Sequence, residues 1–134
     1  MQAAILLAKL PHLADWSAKR REHAAYYSAG LAGLPQVKAP VVEPNNEHIF
    51  HQYTLRVERR DALQAHLKAQ GIGSAVYYPV PLHLQPCFAH LGYKPGRLPV
   101  SEHASHEVLS LPVYPELTQA QLDQVIGTIR GFYK

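Results

Sequence analysis

The sequence holds one cysteine, Cys87, in 134 residues. That excludes an internal disulfide and a four-cysteine zinc site. Its eight glycines fall far below the one-in-three of a collagen repeat. No Gly-x-Gly-x-x-Gly or Walker-type run occurs, so a glycine loop that cradles phosphate is not supported. No Gly-x-Ser-x-Gly nucleophile elbow occurs either. The longest apolar stretch, Ala3 to Ala8, is far short of the ~18 residues that cross a bilayer. It has no basic residue ahead of it and meets Lys9 and Pro11 at once, so it makes a poor secretion signal. A cytoplasmic protein with no membrane partner is expected. Charge of one sign is scarce as well: thirteen Lys and Arg against ten Asp and Glu leave +3. The densest basic run, Lys19-Arg20-Arg21, stands alone with no recognised nucleic-acid module. It reads as a solvated helix face, and no nucleic-acid partner is expected.

What is present is enough for one folded unit. The chain is 47% apolar and 17% charged, so a chain of this size can bury roughly two thirds of its unfolded surface. Leu13, Trp16, Arg20, Ala24, Tyr27 and Leu31 recur at helical spacing. Pro11 lacks an amide hydrogen and clashes with the preceding turn, which predicts a break between helices over 1–10 and 12–30. Gly30, Gly33 and Pro35 mark the stop. Residues 34–47 read as a proline-punctuated loop. Tyr53, Leu55 and Val57 alternate, which predicts a half-buried strand over 51–57. Leu63 and Leu67 predict a helix over 60–70 that ends at Gly71. Ala75–Tyr78 reads as a second strand, stopped by Pro79 and Pro81. Residues 82–99 are expected to be irregular, with one helical turn near 85–90. Ser101 is expected to cap a helix that runs to about Ser110, and Leu111–Val113 to form the third strand. Thr118 and Gln121 have the spacing of a capping box, and Leu122, Val125, Ile126 and Ile129 follow as a buried stripe. Together these elements predict a two-layer α+β fold: a long first helix, then three short strands with helices on one face.

Few residues offer chemistry. His103 and His106 are one turn apart with no carboxylate between them, so they read as exposed helix histidines and not as a metal site. Cys87 has His83 and His90 nearby in sequence, but a reactive thiol needs its thiolate stabilised. Cys87 therefore reads as a small buried apolar residue, and Ser110 has no partner that marks a nucleophile. The most informative stretch is Tyr77-Tyr78-Pro79-Val80-Pro81-Leu82-His83-Leu84-Gln85-Pro86. It gives two phenols, an imidazole and an amide on a loop stiffened by proline. Such groups suit a polyhydroxylated or phosphorylated ligand. They suit an aromatic edge packed on the core equally well.

That stretch, with Phe88-Ala89-His90-Leu91-Gly92-Tyr93 after it, resembles the C-terminal region of the DegT/DnrJ/StrS aminotransferases. Gln2-Ala3-Ala4-Ile5-Leu6, His51-Gln52-Tyr53, Gly71-Ile72-Gly73 and Leu109-Ser110-Leu111-Pro112-Val113-Tyr114-Pro115 fall in the same family order. The resemblance implies a fold type I, pyridoxal-phosphate-dependent enzyme acting on nucleotide-linked keto-sugars, of the kind that serves polysaccharide or lipopolysaccharide synthesis. Residues 1–32 would be a connecting helix and 33–134 the small C-terminal domain. The family's Schiff-base lysine, and its aspartate facing the pyridine nitrogen, lie in a large domain. Lys9, Lys19, Lys38, Lys68, Lys94 and Lys134 all match non-catalytic segments. The resemblance therefore implies no catalytic and no cofactor-binding residue here. The cofactor would be held by the full-length enzyme, and these residues alone would be inactive. By carry-over, Tyr77, Tyr78, His83 and Gln85 would line the substrate side. The implied partners are a nucleotide-sugar, an amino-acid donor, the large domain, and a second subunit in a homodimer. The other expectation from the residues is a free-standing module that binds a small ligand or a protein without catalysis.

Overall fold

The computed structural model describes all residues, Met1–Lys134. Helix α1 spans Gln2–Lys9, a 3₁₀ turn spans Leu10–His12, and helix α2 spans Leu13–Leu31. The break falls at Pro11, where the missing donor and the ring forbid a continuous α-helix. Only the second half of α2 is buried, through His23, Ala24, Tyr27 and Leu31. Leu13, placed on the same stripe by spacing, is 52% exposed. No residue of α1 is buried, and Ile5, Leu6, Leu7 and Leu10 present an open apolar surface.

Three strands form one antiparallel sheet in the order β1-β2-β3: Val37–Lys38, Tyr53–Val57 and Val108–Leu111. Period-two alternation sorts its two faces. Tyr53 pairs with Leu111 and Leu55 with Leu109, and all four are buried in the core. Thr54 pairs with Ser110 and Arg56 with Val108 on the opposite face. There the Thr54 and Ser110 hydroxyls bond at 2.8 Å, and Arg56 meets Glu107 at 2.8 Å. The hydroxyl of Ser110 is thus committed to the sheet.

Helix α3 (Arg60–Ala69) and helix α5 (Gln119–Phe132) join α2 over the core face. Gly71 takes φ +73° and ends α3 as expected. The capping box at Thr118 forms in full: its side chain accepts from the Gln121 amide, and the Gln121 side chain accepts from the Thr118 amide. Leu122, Val125, Ile126 and Ile129 are buried. At Gly30 a Cβ would stand 2.4 Å from Ile126 Cδ1, so the absent side chain lets α5 lie against α2. Arg130 then donates to the Gly30 carbonyl at 2.6 Å and to the Ala32 carbonyl at 2.8 Å. These are the acceptors that the end of α2 leaves open.

Four sequence expectations give way here. Ala75–Tyr78 is not a strand: Ala75 alone makes a bridge to Ser110, and Pro79 and Pro81, which have no N–H, stop a ladder from extending past Tyr78. The first strand lies instead at Val37–Lys38, inside the expected loop, where a two-residue pairing is too short to leave a periodic pattern. Ser101 is not a cap. Helix α4 runs Pro99–Glu107, and the polypeptide turns straight into β3, which begins at Val108 and not at Leu111.

Candidate functional site

The Tyr77–Gln85 segment and α4 enclose a cleft of about 510 Å³. Tyr77, Tyr78, Val80, Pro81, Leu82 and Gln85 form one wall; Ser101, Ala104, Ser105 and Val108 form the other. Proline explains the open shape of the first wall. Pro79 and Pro81 hold the chain extended and donate nothing to a sheet. Their neighbours therefore stay on the surface, with Tyr77 46% and Tyr78 69% exposed. A 3₁₀ turn at Leu82–Leu84 and another at Pro86–Leu91 follow.

Three of the four expected residues meet in this cleft: Tyr77, Tyr78 and Gln85. His83 does not line it. Its imidazole is buried, with Nε2 3.0 Å from Glu102 Oε1 and its ring edge-on to Tyr93 at 5.9 Å. Glu102 also accepts from the backbone amides of Gly96 at 2.7 Å and Leu98 at 3.1 Å. The Gly96 amide first, then those of Leu98 and the His83 imidazole, hold the Glu102 carboxyl below the ordinary carboxylate range against its partial burial. Sequence reasoning missed Glu102. The one available signal was a carboxylate in the first turn of a helix that begins with proline.

The cleft is neutral. Two phenols, the Gln85 carboxamide and the Ser101 hydroxyl face an apolar floor, and no Lys, Arg, Asp, Glu or His lines it. The Ser105 hydroxyl is used locally, donating to the Glu102 carbonyl at 2.7 Å. Such a wall can shape and orient an uncharged polyhydroxylated group through hydrogen bonds. It has no group placed to be a nucleophile or a general base. A second depression of about 360 Å³ continues past Tyr77 along Ser110, Leu111 and Pro112 to His51 and Gln52.

Pyridoxal phosphate needs a primary amine for its imine and an acid opposite the ring nitrogen. None of the six lysines borders the Tyr77–Gln85 cleft. Lys38 borders a narrow groove with Arg56, Glu58 and Glu107, and Lys68 a depression beside Asp61. Neither has an aromatic ring to stack on a cofactor. The residues present do not fit the group.

Cys87 is exposed, not buried as its residue type suggested. It sits on the 3₁₀ turn Pro86–Leu91, none of whose residues is buried, and its Sγ lies 3.9 Å from Gln85 Oε1. His103 is exposed and pairs with Glu107 at 2.7 Å, one turn along α4.

Residues 1–130 match the family model described as "DegT/DnrJ/EryC1/StrS aminotransferase family". A "Pleiotropic regulatory protein" of Geobacillus stearothermophilus is 53% identical over 136 residues, which is 100% of this chain and 37% of that protein. The "dTDP-3-amino-3,4,6-trideoxy-alpha-D-glucose transaminase" of Streptomyces venezuelae is 45% identical over 130 residues, 97% of this chain and 34% of that one. Among solved structures, S. venezuelae DesV "in complex with ketimine intermediate" superposes with a TM-score of 0.96 at 43% identity, over 100% of this chain and 36% of its own. The chain thus spans about a third of the length of the relatives it matches. With the sequence order, the α+β fold and the family match in agreement, the chain belongs to the DegT/DnrJ/EryC1/StrS aminotransferase family.

Proposed function

We propose that these residues are the small C-terminal domain, with its connecting helix, of a sugar aminotransferase that acts on a nucleotide-linked keto-sugar. The aminotransferases of this family are pyridoxal-phosphate enzymes. In this reading the cofactor sits on a large domain of the same protein, and residues 33–134 supply one wall over it. Tyr77, Tyr78 and Gln85 face the sugar, and His83 holds their loop. The observation that carries the reading is the cleft itself: hydrogen-bonding groups suited to sugar hydroxyls, with no amine or acid to bind a cofactor. The open apolar surface of Ile5, Leu6, Leu7 and Leu10 supports it, since packing against a larger body would bury that face. An amino-acid donor, a homodimeric assembly and a cytoplasmic setting belong to the same reading.

A domain of this kind works by positioning. It excludes water and fixes the orientation of a reactant, which lowers the entropic part of a barrier without any proton transfer by its own groups. Alone, residues 1–134 then transfer no amino group.

The test is to incubate the chain with pyridoxal phosphate, reduce with borohydride and map the adducts. Substoichiometric labelling scattered over the exposed lysines is expected. A stoichiometric adduct on one lysine, with a resolved imine absorbance before reduction, overturns the reading.

A further inference from the structure

Past Val76, which packs on the core, the wall that carries Tyr77, Tyr78 and Gln85 has few hydrogen bonds to the rest of the fold. After the Ala75 bridge to Ser110, the backbone hydrogen bonds of residues 76–98 are local ones, such as Leu84 to Pro81, Gln85 to Leu82, Gly92 to Ala89 and Arg97 to Lys94. The side-chain bonds of Gln85, Cys87 and His90 stay within the segment as well. Its polar ties to the rest of the fold converge on one carboxylate. Glu102 accepts from His83 Nε2 just after the tyrosines, and from the amides of Gly96 and Leu98 at the far end. In return the Glu102 amide donates to the Leu98 carbonyl. A charged acceptor with three donors is a strong, directional anchor.

We propose that Glu102 is a positioning residue for the ligand wall: by gathering both ends of the 83–98 segment onto α4, it fixes where Tyr77, Tyr78 and Gln85 stand across the cleft from Ser101 and Ser105. This rests on the cleft being the sugar-facing surface proposed above. Glu102 touches no ligand in this scheme and acts through His83 and the backbone. Its lowered carboxyl range fits the geometry, because three donors favour the charged form. The charged or titratable groups around it are His83 from the loop, with Tyr93 against its ring. Lys94 and Arg97 lie in the turn that presents Gly96, and His106 is one turn along α4.

The experiment is NMR on labelled wild type, Glu102→Ala and Glu102→Gln, with UDP-glucose as the titrated probe. In Glu102→Ala, amide exchange at Gly96 and Leu98 is expected to rise about tenfold or more. The Tyr77 and Tyr78 ring and Gln85 side-chain signals should move toward free-peptide positions, while the methyls of Leu63, Leu109 and Ile129 stay put. In wild type, acidification should shift the Gly96 and Leu98 amides and the Tyr77, Tyr78 and Gln85 signals along one shared midpoint, which Glu102→Gln removes. A residue that only caps α4 would move Gly96 and Leu98 and leave the tyrosines and Gln85 still; that result overturns the proposal. If Glu102→Ala unfolds, the wild-type pH profile and Glu102→Gln decide. UDP-glucose separates the two readings. A wild type that ignores the probe removes the sugar-facing assignment, whereas Tyr77 and Tyr78 signals indifferent to Glu102 remove the clamp, whatever the probe does.

Discussion

The two halves of this fold are held together in different ways. Under α2, α3 and α5, seventeen buried apolar residues form one cluster, so each contact is weak and many are shared. Around the cleft, residues 76–98 rest on Val76 packed against the core, the short bridge at Ala75 and one carboxylate. The first arrangement tolerates the loss of one polar bond but not of volume; the second is the reverse. A domain can therefore keep a stiff body while its working edge adjusts, because stability is not spread evenly over a structure.

The pH scale gives the broadest way to break that comparison. Burial raises the pKa of Tyr27 and Tyr53, and burial first, then the Glu58 carboxylate, pushes Tyr133 up to about 12. Groups whose folded pKa lies above the unfolded value of about 10 contribute stability that is complete below that value and lost as pH rises through the folded one. Circular dichroism with tyrosinate absorbance is expected to show the body unfolding between about pH 10 and 12 or above. Glu102 has the opposite sign. Its lowered pKa gives stability that is present above the ordinary carboxylate range of about 4.3 and lost as pH falls through its folded value. Acid should free the wall before the body, seen as local amide exchange ahead of global melting. Coincident loss at both ends would erase the distinction.

Volume is the next lever. Leu63→Ala removes a fully buried side chain and is expected to cost about 2–5 kcal/mol in urea unfolding. Tyr78→Ala, at an exposed position, should stay within about 0.5 kcal/mol. Comparable costs for the two would show that the wall is part of the cooperative core.

Glycine gives smaller effects of opposite sign within the body. Gly30→Ala drives a methyl into Ile126 and is expected to cost about 1–3 kcal/mol from overpacking, less up to about 1 kcal/mol of helix propensity. Adding Ile126→Val should relieve part of it, since Cδ1 is the atom struck. Gly127→Ala, in open space on α5, should stabilise by about 0.5–1 kcal/mol. Last, Thr118→Ala breaks the capping box and should cost about 1 kcal/mol.

The body was readable in advance because its determinants are local. Leu63, Leu67, Leu122 and Val125 repeat at the helical period, Tyr53, Leu55 and Val57 at the strand period, and Thr118–Gln121 is a complete cap signal by itself. The same order of motifs also gave the family resemblance. The working edge was legible only as an inventory. Tyr77, Tyr78 and Gln85 do share a cleft, but what His83 faces depends on Glu102, nineteen positions away. No periodicity encodes that distance. Ala75–Tyr78 has strand composition, yet the prolines after it decide the outcome, leaving one bridge. Cys87 reads as core because its residue type usually is, whereas it lies on a surface turn with no buried residue.

Helix α2 meets its partners late. Arg20, His23 and Tyr27 contact the consecutive carbonyls of Val113, Tyr114 and Pro112, which lie 93, 91 and 85 positions further along. At ribosomal speeds of roughly 5–20 residues per second, several seconds separate the emergence of these groups. During that interval only β2, through Tyr53 against Tyr27 and Ser28, is there to cover part of the apolar face of the nascent α2. That spacing leaves the rest of the face open until Val113 and Tyr114 emerge, and apolar surface exposed in this way is prone to aggregate during synthesis.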